Sequence, residues 1–180
     1  MIRKKKSIPL GQVYRFLEPG PVVLLTTEQK GRRNVMTMSW SVMIDFDPPL
    51  VGLIVSNRDY SFKALKETKE CAINIPTAEL IKAVVGCGNT TGRTVDKFKR
   101  FGLTPFDASQ VSPPLIAECF ANLECRVVDT TLVSKYGFFV VQVLKAWADP
   151  GVRSPETLHH AGLGVFRVAG RKIKSASKMR

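Results

Sequence analysis

One stretch constrains the fold more than any other. From Ile116 to Val128, residues Ala117, Cys119, Ala121, Leu123, Cys125 and Val127 share one parity, while Glu118, Asn122, Glu124 and Arg126 occupy the other. Side chains of a strand point alternately to its two faces, so this pattern predicts a half-buried antiparallel strand. The apolar run Tyr136 to Ala148 (YGFFVVQVLKAWA) is its natural partner, joined through Asp129 to Lys135.

Shorter strands precede that pair. Val22 to Thr27 (VVLLTT) is β-branched and apolar, Glu28 to Arg33 is a polar turn around Gly31, and Asn34 to Val42 (NVMTMSWSV) resumes strand-like residues, which predicts a hairpin. Asp45 to Pro49 breaks the chain, and Leu50 to Ser56 (LVGLIVS) is apolar on both parities, as a strand covered on both faces should be. Helices are expected over Ser61 to Glu70, over Thr77 to Gly86 with glycine as the stop, and over Thr94 to Phe101. A short strand Cys71 to Ile75 lies among them, and Gly162 to Val168 is expected to close the set before a basic tail. Strands in hairpin order with helices inserted between them predict a mainly β chain, a β-barrel rather than a βαβ sheet.

A chain of 180 residues fits one domain, here 1–180, with a core over 19–170 and basic tails at 1–8 and 171–180. Charged residues make up 23%, which excludes a wholly disordered chain. No apolar run approaches the ~20 residues of a membrane-spanning helix, and the basic start leads into no signal-like segment, so a cytoplasmic protein without membrane contact is expected. The four cysteines show no CxxC spacing, which argues against structural zinc, and six strand steps of ~3.3 Å set Cys119 and Cys125 too far apart to bridge. The net charge of +12 permits nucleic acid or phosphate-bearing ligands, but much of it sits in the tails.

Motifs for chemistry are sparse. Gly86, Gly88 and Gly92 form GxGxxxG after a helical pattern, which is not a dinucleotide fingerprint. Ser56 to Ser61 (SNRDYS) runs from a strand into a helix, where unpaired N–H groups, Arg58 and Ser61 could hold a phosphate monoester; a cap and a surface arginine would look alike. Asn34 to Trp40 could present amides, Thr37 and Ser39 to a flat heteroaromatic ring beside Trp40, as could a plain strand with a core tryptophan.

Taken in order, PGPVVLLTT, NVMTMSWS, DPPLVGLIVSNRDYSFKALKETKECAINIP and TGRTVDKFKRFG resemble the flavin reductase-like, or flavoredoxin, family of FMN-binding split barrels, over Pro19 to about Asp149. The resemblance implies a homodimer that binds FMN near the subunit interface and moves electrons from NADH or NADPH to a protein, flavin or metal acceptor. It assigns Asn34, Thr37, Met38, Ser39 and Trp40 to the isoalloxazine wall, Asn57, Arg58 and Ser61 to the ribityl phosphate, Lys97 to the flavin's neighbourhood, and Phe166 to the ring. Tyr136 stands where related sequences often carry a histidine. The flavin carries the redox chemistry in such proteins, so no catalytic acid or base is demanded of the chain. An FMN electron carrier that does not itself oxidise NAD(P)H is the alternative. A basic nucleic-acid-binding barrel ranks lower, for want of an exposed aromatic stripe along a cationic groove.

Overall fold

The computed structural model describes residues 20–171 together with 173 and 175. The expected N-terminal tail and most of the C-terminal one lie outside the described residues. In chain order the elements are β1 (Val23–Gln29), β2 (Arg32–Met38), β3 (Ser41–Phe46), β4 (Pro49–Ile54), α1 (Tyr60–Thr68), β5 (Glu70–Ile75) and, after a 3₁₀ turn Ala78–Leu80, α2 (Ile81–Asn89). There follow α3 (Lys97–Phe101), β6 (Pro105–Phe106), β7 (Leu115–Ile116), β8 (Ala121–Asp129), α4 (Val133–Tyr136), β9 (Phe138–Ala148), β10 (Leu158–His160) and β11 (Phe166–Val168).

Seven strands build one antiparallel sheet in the order β2-β1-β5-β8-β9-β4-β3. Its two edge strands, β2 and β3, are consecutive in sequence, with only Ser39 and Trp40 between Met38 and Ser41. Three peptide steps span at most about 11 Å, so the sheet must curl until its edges nearly meet. No ladder joins those edges. The result is a barrel split along one seam, the mainly β architecture expected from the strand pattern.

Two hydrophobic bodies hold this shape. Val23, Leu25, Leu53, Val55, Phe139 and Val141 fill the barrel with Leu65 of α1, and Phe62 packs edge-on to Phe139 at 5.6 Å. The other parity of β1, Val22 and Leu24, packs with Val35, Val84 of α2, Ile116 and Leu158. Strand β1 is therefore apolar on both parities because helices cover both of its sides. Full burial of a residue such as Leu25 is worth about 1.5–3 kcal/mol.

Several boundaries differ from expectation for local reasons. The first hairpin turns on two residues, not six: Lys30 and Gly31 both take positive φ (52° and 74°), the geometry that matches strand twist in a tight hairpin. The run 34–42 is two strands, because the chain leaves one sheet edge at Ser39 and enters the other at Ser41, where the Ile54 amide donates to the Trp40 carbonyl at 3.0 Å. The segment expected only to break the chain includes the end of β3, which turns back into β4. Helix α2 passes through Gly86 instead of stopping there; a Cβ at that position would lie 2.3 Å from the Phe101 ring, so the glycine permits close helix packing.

The run 116–128 is also interrupted. Ile116 belongs to β7, a turn follows, and the strand proper begins at Ala121. The Asn74 Oδ1 atom accepts the Ile116 amide at 3.0 Å and holds that turn against the sheet. The polar parity of β8 is not uniformly solvated either, since Asn122 and Glu124 are buried while Arg126 is exposed. Gly162–Gly164 forms a turn between β10 and β11, which pair with each other in a separate small sheet. All four cysteines are free and buried.

Candidate functional site at the barrel seam

Three hollows meet around Thr37, where β2 ends at the seam. A cavity of about 180 Å³ lies between β2, the start of α1 and the 87–97 segment; among its walls are Asn34, Arg58, Asp59, Ser61, Gly92 and Lys97. A chamber of about 460 Å³ lies under the β10–β11 hairpin, against Thr37, Met38, Ser39, Trp40, His160 and Phe166. A shelf of about 230 Å³ runs along Met36 to Trp40 toward Ile54, Ser56 and Asp59.

The first cavity is built on a rigid base. Asn34 and Ser61 are both buried, and the Asn34 Nδ2 donates to the Ser61 Oγ at 2.8 Å, tying β2 to α1. Lys97 is buried as well, with its Nζ donating to the Cys87 carbonyl at 2.7 Å. Burial lowers the lysine's pKa, opposed by the field of Cys87 and Asp59; the same burial pushes the Cys87 thiol up to about 11. The loop into α1 is folded on itself: the Asp59 carboxylate accepts the Ser56 amide at 3.0 Å, and the Ser56 Oγ accepts the Arg58 amide at 3.2 Å. Across the cavity, the Arg32 guanidinium donates to the carbonyls of Gly92 and Arg93 at 2.7 Å each and lies 5.2 Å from the Tyr60 ring centroid. At Gly92 a Cβ would come within 2.0 Å of the Asn34 Oδ1, so only glycine lets the backbone approach. Two cations, a buried hydroxyl and a close-approaching backbone form a donor set suited to a phosphate monoester.

Around the seam the described walls carry no lysine or arginine. The Thr37 hydroxyl donates to the Val84 carbonyl at 2.6 Å, fixing β2 to α2. Met38 is buried, whereas Trp40 keeps 57% of its surface exposed. Phe166 borders the chamber with its ring 5.3 Å from that of His160. Asn57 is exposed and lines none of the three hollows. Tyr136 lines none of them either; it is 56% exposed on α4, with Lys135 Nζ 5.0 Å from its ring centroid. Its neighbour Gly137 accepts the Val55 amide at 2.9 Å, so Tyr136 stands beside the strand that feeds the Ser56–Ser61 loop.

The Flavin reductase like domain family matches residues 15–167. The chain belongs to the flavin reductase-like family. It is similar to the uncharacterized protein YddH of Escherichia coli K12, 31% identical over 180 residues, 92% of this chain and 95% of that protein. Among solved structures, a flavoredoxin from Methanosarcina acetivorans matches with 26% identity and a TM-score of 0.83, over 98% of this chain and 97% of that one. An FMN-binding domain of a flavin reductase-like enzyme from Shewanella baltica OS155 matches at 24% identity and a TM-score of 0.83, covering 95% and 97%. The resemblance read from the sequence and the split-barrel fold thus agree with the family.

Within this flavin reductase-like barrel, sequence reasoning passed over several residues of the hollows. Thr90, Thr91 and Gly92 line the charged cavity, yet none was assigned a role: Gly92 drew notice in a failed dinucleotide pattern and, with Thr91, within the motif TGRTVDKFKRFG. Its signal was the hydroxyl-rich glycine turn TTGR just ahead of α3. Asp59 was passed over too, and it offsets part of the cavity's positive charge. His160 gave no signal at all, because its place beside Phe166 follows from the β10–β11 pairing. Among the described residues no helix is long and apolar enough to cross a membrane.

Proposed function

We propose that the protein binds FMN non-covalently at the seam and acts as a flavin reductase-like oxidoreductase. The observation that carries this reading is the junction of a charged cavity, sized for a phosphate, with the chamber and shelf along Thr37–Trp40, whose described walls hold no Lys or Arg. Arg58, Ser61 and Lys97, with the backbone at Gly92, would hold the phosphate; Asn34 positions Ser61. Thr37, Met38, Ser39 and Trp40 would wall the isoalloxazine, Phe166 would approach it from the far side, and Asn57 and Tyr136 would act from its periphery. When bound, the flavin would supply the two-electron redox chemistry that links NADH or NADPH to a protein, flavin or metal acceptor. The chain's part is to anchor the phosphate, exclude water from one ring face and leave the other open.

A second copy of the chain belongs to the same reading. Val42, Met43, Ile44 and Phe46 on edge strand β3 are all exposed, and a contiguous apolar edge is a liability unless covered. The outer side of β9 is half-buried within the subunit and offers no such edge. A homodimer joined through β3 would cover this edge next to Trp40. The free cysteines suit a reducing compartment such as the cytoplasm.

Purified protein should be yellow, with FMN released on denaturation, and should bleach on anaerobic mixing with NADH or NADPH. Bleaching only by a reduced protein donor would make it an FMN electron carrier. A colourless protein with no affinity for FMN would refute the reading. Sedimentation at micromolar concentration should show a dimer.

A further inference from the structure

The charged cavity has a neighbour on its outer side. A hollow of about 390 Å³ lies beyond the 92–96 turn, against Gly31, Arg32, Thr94, Phe98 and Pro105, and Gly92 lines both spaces. That glycine is wedged in place: a Cβ there would collide with the Asn34 Oδ1 and lie 2.8 Å from the Tyr60 ring. Arg32 holds the partition shut. Its Nη2 donates to the Gly92 and Arg93 carbonyls at 2.7 Å each, and its guanidinium lies 5.2 Å from the ring centroid of Tyr60, which lines the inner cavity. One side chain thus ties β2, the turn ahead of α3 and the start of α1 together where the two hollows meet. The turn is also bonded within itself, the Val95 amide donating to the Thr91 carbonyl at 3.2 Å and the Arg93 amide to the Thr91 Oγ1 at 3.3 Å. The adjacent Arg33 is engaged otherwise, by the carboxylates of Glu28 and Asp107 at 3.0 and 2.8 Å. Arg32 instead grips backbone carbonyls and a ring, so its bonds fix the position of a segment.

Closure at this point bears on which phosphate the cavity accepts. A phosphate monoester carries close to two negative charges near neutrality and ends the molecule, which suits a closed space lined by Arg58 and Lys97. When the phosphate bears a further group, as in FAD, one oxygen becomes a bridge, that phosphorus keeps a single charge, and the chain must leave the cavity. The shelf side is occupied by the flavin itself, so the remaining route runs past Gly92 into the outer hollow. We propose that Arg32 is a specificity-determining latch, closing the phosphate cavity to a monoester and so selecting FMN over FAD. The outer hollow falls within the roughly 300–1,000 Å³ of small-molecule sites and has room for a nucleoside once the latch is removed. The proposal rests on the reading that FMN binds at the seam with its phosphate in this cavity.

The test is equilibrium dialysis of FMN, FAD and riboflavin against the flavin-free full chain. Wild type should prefer FMN to FAD by more than about tenfold. In Arg32→Ala, FMN should weaken about 3- to 10-fold as the turn loosens, while FAD tightens in absolute terms and riboflavin is unchanged. Arg32→Lys keeps the charge without the forked donor, so it should shift the FMN-to-FAD ratio the same way by less; it decides the matter if the alanine variant does not fold. Adding Thr94→Trp, at an exposed position on the wall of the outer hollow, to Arg32→Ala should cancel the FAD gain and leave FMN affinity as it was.

Wild type that binds FAD as tightly as FMN overturns the proposal, as does an unchanged FMN-to-FAD ratio in the Arg32 variants, the mark of a merely structural tie. A FAD gain that survives Thr94→Trp also overturns it, because the nucleoside would then lie elsewhere. All three outcomes leave the FMN reading standing. Wild-type protein with no affinity for FMN overturns both.

Discussion

Two groups of buried polar side chains lie on the same barrel, and they are completed in different ways. Between β5 and β8, the Asn74 Oδ1 accepts the Ile116 amide at 3.0 Å and the Asn122 Nδ2 at 2.7 Å, while the Asn74 Nδ2 donates to the Leu24 carbonyl at 3.0 Å. Next to them the Glu124 carboxylate accepts from Trp147 Nε1 at 2.7 Å and from the amides of Ser109 and Gln110 at 2.9 and 2.5 Å. Every donor there comes from the protein. At the seam, Asn34, Ser61 and Lys97 are equally buried but face a cavity. Polar groups are costly to bury, and the first group recovers that cost by binding the 109–116 segment to the sheet. The second has room left for a guest, which is how a site differs from a structural network of similar composition.

That contrast can be broken by substitution. The largest effect is expected at Asn74→Ala, which removes the acceptor of the Ile116 amide and a donor to the Leu24 carbonyl, while Asn122 Nδ2 keeps the Ile116 carbonyl; at ~1–3 kcal/mol for each of the two groups, about 2–6 kcal/mol of stability should be lost. Thermal unfolding would report it, and flavin affinity measured well below the transition should not change. A cofactor-specific loss in Asn74→Ala would erase the distinction between the two groups.

Arg58→Ala should do the reverse. Hydrogen bonds to charged groups contribute roughly 1.5–3 kcal/mol, so FMN affinity should fall about 10- to 150-fold while riboflavin affinity and unfolding temperature hold steady. Parallel titrations of the two flavins decide it, and equal losses for both would remove the phosphate from this cavity.

The two groups also differ in how stability depends on pH. Desolvation would raise the Glu124 pKa, but the bonds from Trp147, Gln110 and Ser109 outweigh it and hold the carboxyl below its ordinary value. A carboxylate depressed in the folded state stabilises above its unfolded pKa, about 4.3, and that contribution is lost as pH falls through the lower folded value. The gap in unfolding temperature between wild type and Glu124→Gln should therefore be widest near neutrality and close as the pH drops below about 4. A constant gap would mean that the charge contributes nothing beyond shape.

The smallest effect is optical. Trp40 at the seam should account for most of the fluorescence quenching on FMN binding, because Trp147 is held by Glu124 in the closed group. Trp40→Phe should remove most of the quenching; an undiminished amplitude would put the ring elsewhere.

The same two groups differ in how far they could be read from the sequence. Strand β1, helix α1 and the partnership of β8 with β9 were legible because periodicity reports which face is buried. Asn122 and Glu124 were misread as solvent-facing because alternation distinguishes the two faces of a strand without saying what covers the polar one. The break at Ser39–Trp40 left no mark, since both flanks are strand-like and the switch of sheet edge is a tertiary event. Arg58, Ser61 and Lys97 were read as phosphate or flavin ligands, and the fold draws all three to one cavity. His160 could not be read, because a three-residue strand carries too little pattern to locate it.

The two-residue joint between β2 and β3 makes the width of the cleft a matter of chain length. Substitutions can reshape its walls, but the rims are tethered by the same short span whatever side chains they carry. An added residue at Ser39–Trp40 would lengthen that tether by about 3.3 Å and reverse the facing of whichever flank absorbed it. A lineage adapting this barrel to a bulkier guest would therefore find its route in insertions at the joint or in remodelling of the β10–β11 hairpin above it. The hairpin is the gentler of the two, since it belongs to a separate small sheet and can change without shifting the register of the seven strands.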